Sequence, residues 1–152
     1  MADWNQLADE LSTDAELKAL SFEQGQAVID LLAFIVRADD RVAFLEKTQL
    51  EHMLLEMPWA EGKQQAVDDC LEDALSRAGA GDWLTNMKAV AAKVAGAVTS
   101  ETGRAKVYQM AATLAGADYE VTAEERQALD LLAGALSIEG ETKQAIERDA
   151  DL

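Results

Sequence analysis

Residues 26–50 read QAVIDLLAFIVRADDRVAFLEKTQL, and residues 105–129 read AKVYQMAATLAGADYEVTAEERQAL. Laid over one another at an offset of 79 positions, from Asp39 to Asp118, the two stretches align without a gap. Val28 falls on Val107, Ala33 on Ala112, and Ala38-Asp39 on Ala117-Asp118. Val42 falls on Val121, Glu46 on Glu125, and Leu50 on Leu129. Alanine is common in this chain, so its matches weigh little; the ungapped recurrence of Asp, Val, Glu and Leu carries the repeat. Each copy begins with a run that is apolar on nearly every side, the pattern of a helix with neighbours all round. A short acidic loop follows, Asp39 to Val42 or Asp118 to Val121, and then an amphipathic helix. The expected fold is all-α: a compact bundle of about seven or eight helices, with two pseudo-symmetric helical hairpins facing each other.

Working outward, the repeat units span residues 22–57 and 101–136 of a single all-helical domain over 1–152. Residues 1–20 form a peripheral N-terminal segment and 140–152 a C-terminal tail with room for one or two helical turns. Ser21 and Gln24 form a capping-box pattern before the first apolar helix, and Thr122 and Glu125 form another before the last helix of the second unit. Pro58 ends the amphipathic helix of the first unit, expected from about Ala43 to Met57. Between the units lie two helices with regular apolar stripes. One runs from about Ala60 to Ala78, with Val67, Cys70, Leu71 and Ala74. The other runs from Trp83 to Val98, with Met87, Val90 and Val94, and Asp82 stands as its cap. Asp30 interrupts the most apolar run, which still reads as a buried helix rather than a membrane span, since no apolar stretch approaches the roughly 18 residues that crossing requires. No strand or hairpin signal appears.

Thirteen Lys and Arg against 29 Asp and Glu give a formal net charge of -16. That charge repels nucleic acid and anionic membrane surfaces and attracts cations and basic protein surfaces. Cys70 is the single cysteine, which leaves no internal disulfide and no thiolate zinc site and fits a reducing cytoplasm. The first residues, with Asp3, Asp9 and Glu10, lack the basic start of a signal peptide.

Each unit reads Ala-Asp-x-x-Val-x-x-x-Glu-x-x-x-Leu. Ala38-Asp39-Asp40-Arg41-Val42 through Glu46, and Ala117-Asp118-Tyr119-Glu120-Val121 through Glu125, resemble the duplicated alanine–aspartate–glycine, hydrophobic, glutamate signature of the tellurite-resistance TerB-like family. The resemblance covers about residues 22 to 138. It departs at the family's glycine, which is Asp40 in one unit and Tyr119 in the other. What it implies is a compact helical cytoplasmic domain tied to stress and metal-ion resistance, a divalent-cation site at the paired acidic loops, and no catalytic activity.

Asp39, Glu46, Asp118 and Glu125 are accordingly the candidate metal ligands, since calcium and magnesium take oxygen donors. The same four residues also have a structural reading. Glu46 and Glu125 stand in the first turn of a helix, where negative charge is favoured, and the aspartates can accept hydrogen bonds from loop N–H groups. An EF-hand is excluded because Leu50 and Leu129 occupy the twelfth position, where a bidentate glutamate belongs. A di-iron bundle needs two Glu-x-x-His pairs, whereas His52 is the only histidine and has Gln49 three residues before it. Nucleotide-binding glycine loops are absent, and Cys70 and His52 give nucleophilic triads little to work with. Trp4, Trp59 and Trp83 fall near element ends, as covers for core edges.

Two function classes follow. The leading one is a TerB-like interaction module that binds a protein with a basic surface, with a divalent cation between the loops. The alternative is an acidic decoy that mimics a nucleic-acid backbone and occupies a basic protein. The paired loops favour the first, because a decoy needs its charge spread along one face.

Overall fold

A computed structural model describes residues 15–37, 51–52, 54–55, 57–78, 82–115 and 123–149, without the side chains at 36, 37, 78, 114, 124 and 125. All regular structure among these residues is helical. In chain order the elements are α1 (Ala15–Ala19), α2 (Phe22–Arg37), a 3-10 turn (Pro58–Ala60), α3 (Gln64–Ala78), α4 (Trp83–Ala97), α5 (Glu101–Ala115), α6 (Ala123–Ala135) and α7 (Gly140–Asp149). Glu51, His52, Leu54 and Leu55 are also helical.

Helix α2 is the axis of the bundle. It packs against α3, α4, α5 and α6 and against the 3-10 turn, so its side chains find apolar neighbours in every direction. Every residue from Ala27 to Ile35 is buried, Asp30 included. Helix α5 is the second buried element, with Val107, Tyr108, Met110, Ala111, Ala112 and Ala115 all enclosed. These are the two apolar helices of the repeat, and they lie against each other. Helices α3 and α4 bury one stripe each, Val67, Leu71 and Ala74 on one and Met87, Val90, Ala91 and Val94 on the other. Leu17 and Leu20 from the N-terminal segment join the same core.

Helix ends are closed by specific groups. At α2 the backbone N–H of Gln24 donates to Ser21 Oγ at 3.1 Å and that of Ser21 donates to Gln24 Oε1 at 2.9 Å, the reciprocal capping box expected from the sequence. Asp82 caps α4, accepting from the Leu84 N–H at 3.2 Å and the Thr85 hydroxyl at 2.8 Å; these bonds, that of Thr85 foremost, hold its carboxyl below the ordinary aspartate range. The end of α6 is a Schellman turn. Ile138 N–H donates to Ala133 O and Ser137 N–H to Gly134 O, with Ser137 at φ 56 where glycine is usual.

Three elements differ from the sequence reading. The helix expected from about Ala60 starts at Gln64, because Pro58 fixes a separate 3-10 turn ahead of it. The C-terminal tail forms a full ten-residue helix, α7, although none of its side chains is fully buried. Trp59 lies inside the core rather than at its edge, 6% exposed, and meets the Phe22 ring with centroids 6.3 Å apart.

Candidate functional site

Asp39, Glu46 and Asp118 lie outside the described residues. Glu125 falls within α6, with its side chain outside the description. The two acidic loops and most of the helix expected after the first one are likewise outside it, and with them the superposition of the two hairpins. Among the described residues no group of three or more His, Cys, Asp or Glu side chains is placed to hold a metal ion.

The site that the described residues do build lies where α2, α3 and α4 meet. Its centre is Asp30, the one buried charged residue in the described core. Helix α2 carries it inward because the surrounding apolar residues leave no outward face at that turn. A carboxylate taken from water needs charged or hydrogen-bonding partners, and α3 supplies one. Arg77 Nη2 donates to Asp30 Oδ1 at 2.7 Å, while its Nε donates to Asp73 Oδ2 at 2.8 Å, one turn back on the same helix. The bond to Asp30, more than any other influence, raises the guanidinium's pKa further. Arg77 is thus clamped between two carboxylates. Lys93 of α4 approaches the other oxygen, Asp30 Oδ2, at only 3.9 Å, and its side chain is 68% exposed.

Two cavities flank this pair. One, of about 370 Å³, has Phe34, Ala89 and Val90 as apolar wall and Asp30, Arg77, Asn86 and Lys93 as polar rim. The other, of about 510 Å³, is more polar; Glu23, Asp73 and Cys70 line it together with the same Asp30, Arg77 and Lys93. Cys70 is half-buried there, and burial, with the nearby Asp30 charge, raises its thiol pKa. A raised thiol is a poor nucleophile.

A second polar cluster is centred on the middle of α5. The fully buried Tyr108 donates its hydroxyl hydrogen to Glu147 Oε1 at 2.9 Å. Glu147 also pairs with Arg126 at 3.2 Å and Lys143 at 3.0 Å, and Lys143 reaches Asp130 at 3.1 Å. This network straps α7 to α5 and α6 and explains how a helix with no fully buried side chain stays docked.

The sequence reading singled out Asp30 only as a break in an apolar run. A lone carboxylate inside such a run is a signal for a buried ion pair, but its partner is 47 positions away and carries no mark in the sequence. Comparison with models of known protein families, with curated proteins and with solved structures finds no match for this chain.

Proposed function

We propose that this chain is a non-catalytic binding module of TerB-like type that engages a basic protein surface in a cytoplasmic stress or metal-ion response, with a divalent cation held between the loops bearing Asp39, Glu46, Asp118 and Glu125. The observation that carries the reading is the ungapped repeat of the Asp–Val–Glu–Leu loop after each of the two apolar helices, in a chain of net charge -16. The packing of α2 against α5 supports it, because these are the helices that lead into the two loops. Four carboxylates in one place repel one another, and a divalent ion relieves that repulsion. Charge of this size also costs the folded state through self-repulsion, which a basic partner offsets.

Thermal melting with chelator, and then with calcium or magnesium, tests the cation. Wild type gains roughly 2.7 kcal/mol at a hundredfold excess over Kd, and Asp39→Asn/Asp118→Asn loses that gain. A double variant less stable with or without metal assigns the aspartates to loop structure instead. Pull-down from the native cytoplasm with and without divalent ions tests the partner. Capture that persists unchanged at high salt counts against an electrostatic interface. Capture of nucleic-acid-binding proteins without regard to divalent ions favours the decoy.

A further inference from the structure

We propose that α7 is a latch: it leaves the folded bundle as one unit, and in leaving it uncovers Tyr108 while α1 to α6 stay in place. The latch is independent of the cation and of the partner proposed above.

The ten residues of α7 meet the bundle along one narrow stripe. Lys143, Ile146 and Glu147 are half-buried, at the spacing of a single helix face, and the rest of the helix is exposed. Ile146 is the one hydrophobic residue of the three, and it packs against the core. A helix this short is marginal in water without tertiary contacts, so docking and folding of α7 are one event. Helix α2 is the opposite case. Every residue from Ala27 to Ile35 is buried, and such a helix opens only with the whole bundle.

Polar contacts supply the rest of the hold on α7, and they converge on one atom. The Tyr108 hydroxyl, Arg126 Nη1 and Lys143 Nζ meet Glu147 Oε1 at 2.9, 3.2 and 3.0 Å. Lys143 also reaches Asp130 Oδ1 at 3.1 Å. Arg126 is 42% exposed and Asp130 57%. Water competes for both pairs, and each shifts docking by only about 1.4- to fivefold. Tyr108 is what the latch hides. Its side chain is fully enclosed, yet its hydroxyl ends on a helix with no fully buried side chain. On opening, water replaces Glu147 as acceptor, so the phenol is not left unpaired.

The test is hydrogen exchange of the whole chain, read amide by amide across sub-denaturing urea. Amides from Lys143 to Asp149 should share one opening equilibrium. It should be more favourable than that of α2 and α5 and have a small fraction of their urea slope, because little surface is exposed. Arg126→Gln should raise that opening by about 1.4- to fivefold. Lys88→Gln, the same charge change at an exposed site on α4, should leave it unchanged. Tetranitromethane should nitrate Tyr108 in the native protein at a rate that Arg126→Gln raises by the same factor. Exchange of α7 with the slope of α2 overturns the proposal, because α7 then opens only with the whole bundle. Exchange graded along α7, fastest at Asp149 and without a common slope, overturns it as ordinary fraying. An equal rise in Lys88→Gln overturns the role of the Glu147 cluster, since net charge alone then sets the opening. Nitration unchanged by Arg126→Gln while α7 opens faster overturns the proposal that α7 hides Tyr108.

Discussion

The indole of Trp59 occupies the space that a side chain at position 25 would fill: a Cβ on Gly25 would stand 2.5 Å from Trp59 Cε3. Gly25 sits in the first turns of α2, and its bare backbone lets the ring of the 3-10 turn lie flat on the helix beside Phe22. The ring thereby packs the 3-10 turn against the central helix.

Gly25→Ala should therefore destabilise the protein by about 1–3 kcal/mol, the usual cost of overpacking. That sign reverses intrinsic propensity, which favours alanine over glycine in a helix by roughly 1 kcal/mol. Gly134, in α6, has nothing within 4 Å of the corresponding position, so Gly134→Ala should gain up to about 1 kcal/mol. Urea unfolding of the two variants reads the contrast as opposite shifts in midpoint at constant slope. A gain at both positions would show that the Trp59 ring moves aside freely.

The Asp30–Arg77 pair sets the second expectation. Arg77→Met keeps the stem and removes the charge that faces a carboxylate 5% exposed. Breaking a fully buried pair costs about 3–5 kcal/mol. Arg77 is 48% exposed, so water screens part of the interaction and the expected loss is nearer about 2 kcal/mol. In an Asp30→Asn background the same change should cost less than about 1 kcal/mol, because no buried charge is then stranded. A double-mutant cycle by chemical denaturation measures the difference. Additive losses would mean that the charge of Arg77 acts independently of Asp30.

These contacts divide what could be read from the sequence from what could not. The capping box at Ser21 and Gln24 and the Asp82 cap were legible because each joins residues two or three positions apart. The central place of α2 and α5 was legible because burial on all sides leaves an unbroken apolar pattern. Partners distant in sequence leave no such trace. Arg77 for Asp30, Glu147 for Tyr108 and Ser100 for Glu16 are separated by 47, 39 and 84 positions. The full length of α7 escapes the pattern because Ile146 is its one apolar contact with the core, and the rest of its hold comes from polar pairs at Glu147 and Lys143 rather than from an apolar stripe. As for the candidate site, the sequence suggested the acidic loops, whereas the cleft at Asp30 arises only when three helices meet.

Tyr108 offers an alkaline test of the strap that holds α7. Burial, and next its hydrogen bond to Glu147, raise its phenol pKa well above the ordinary value of about 10. A pKa raised on folding contributes stability that is present below the unfolded pKa and lost as pH rises through the folded one. Spectrophotometric titration of the folded protein should therefore leave one of the two tyrosines protonated beyond the normal phenol range. In Tyr108→Phe that resistant fraction should vanish. Glu147→Gln should lower the resistant pKa part of the way, since burial remains. Normal titration of both tyrosines in the folded wild type would rule out the strap.

Glu16 gives the acid counterpart and ties the N-terminal segment to the bundle. Its Oε1 accepts from the Ser100 N–H at 2.8 Å and the Ser100 hydroxyl at 3.0 Å, and its Oε2 accepts from the Thr99 hydroxyl at 3.0 Å. Ser100 Oγ in turn accepts from the Gly103 N–H at 3.0 Å, so one carboxylate orients the cap of α5 from outside that helix. Burial alone would raise the pKa of Glu16, but these hydrogen bonds outweigh it and hold the carboxyl below the ordinary glutamate value of about 4.3. A pKa depressed on folding gives stability that is present above the unfolded pKa and lost as pH falls through the folded one. Glu16→Ala should accordingly cost about 0.5–2 kcal/mol at neutral pH, the range of a lost cap. The gap between variant and wild type should narrow as pH drops below about 4. Lys18→Ala, at an exposed position on the same short helix, should show no such dependence. Denaturation midpoints of the three proteins from neutral to acid pH measure the trend, and a Glu16→Ala gap that stays constant down to pH of about 3 would mean that the carboxylate's charge does not hold α1 to α5.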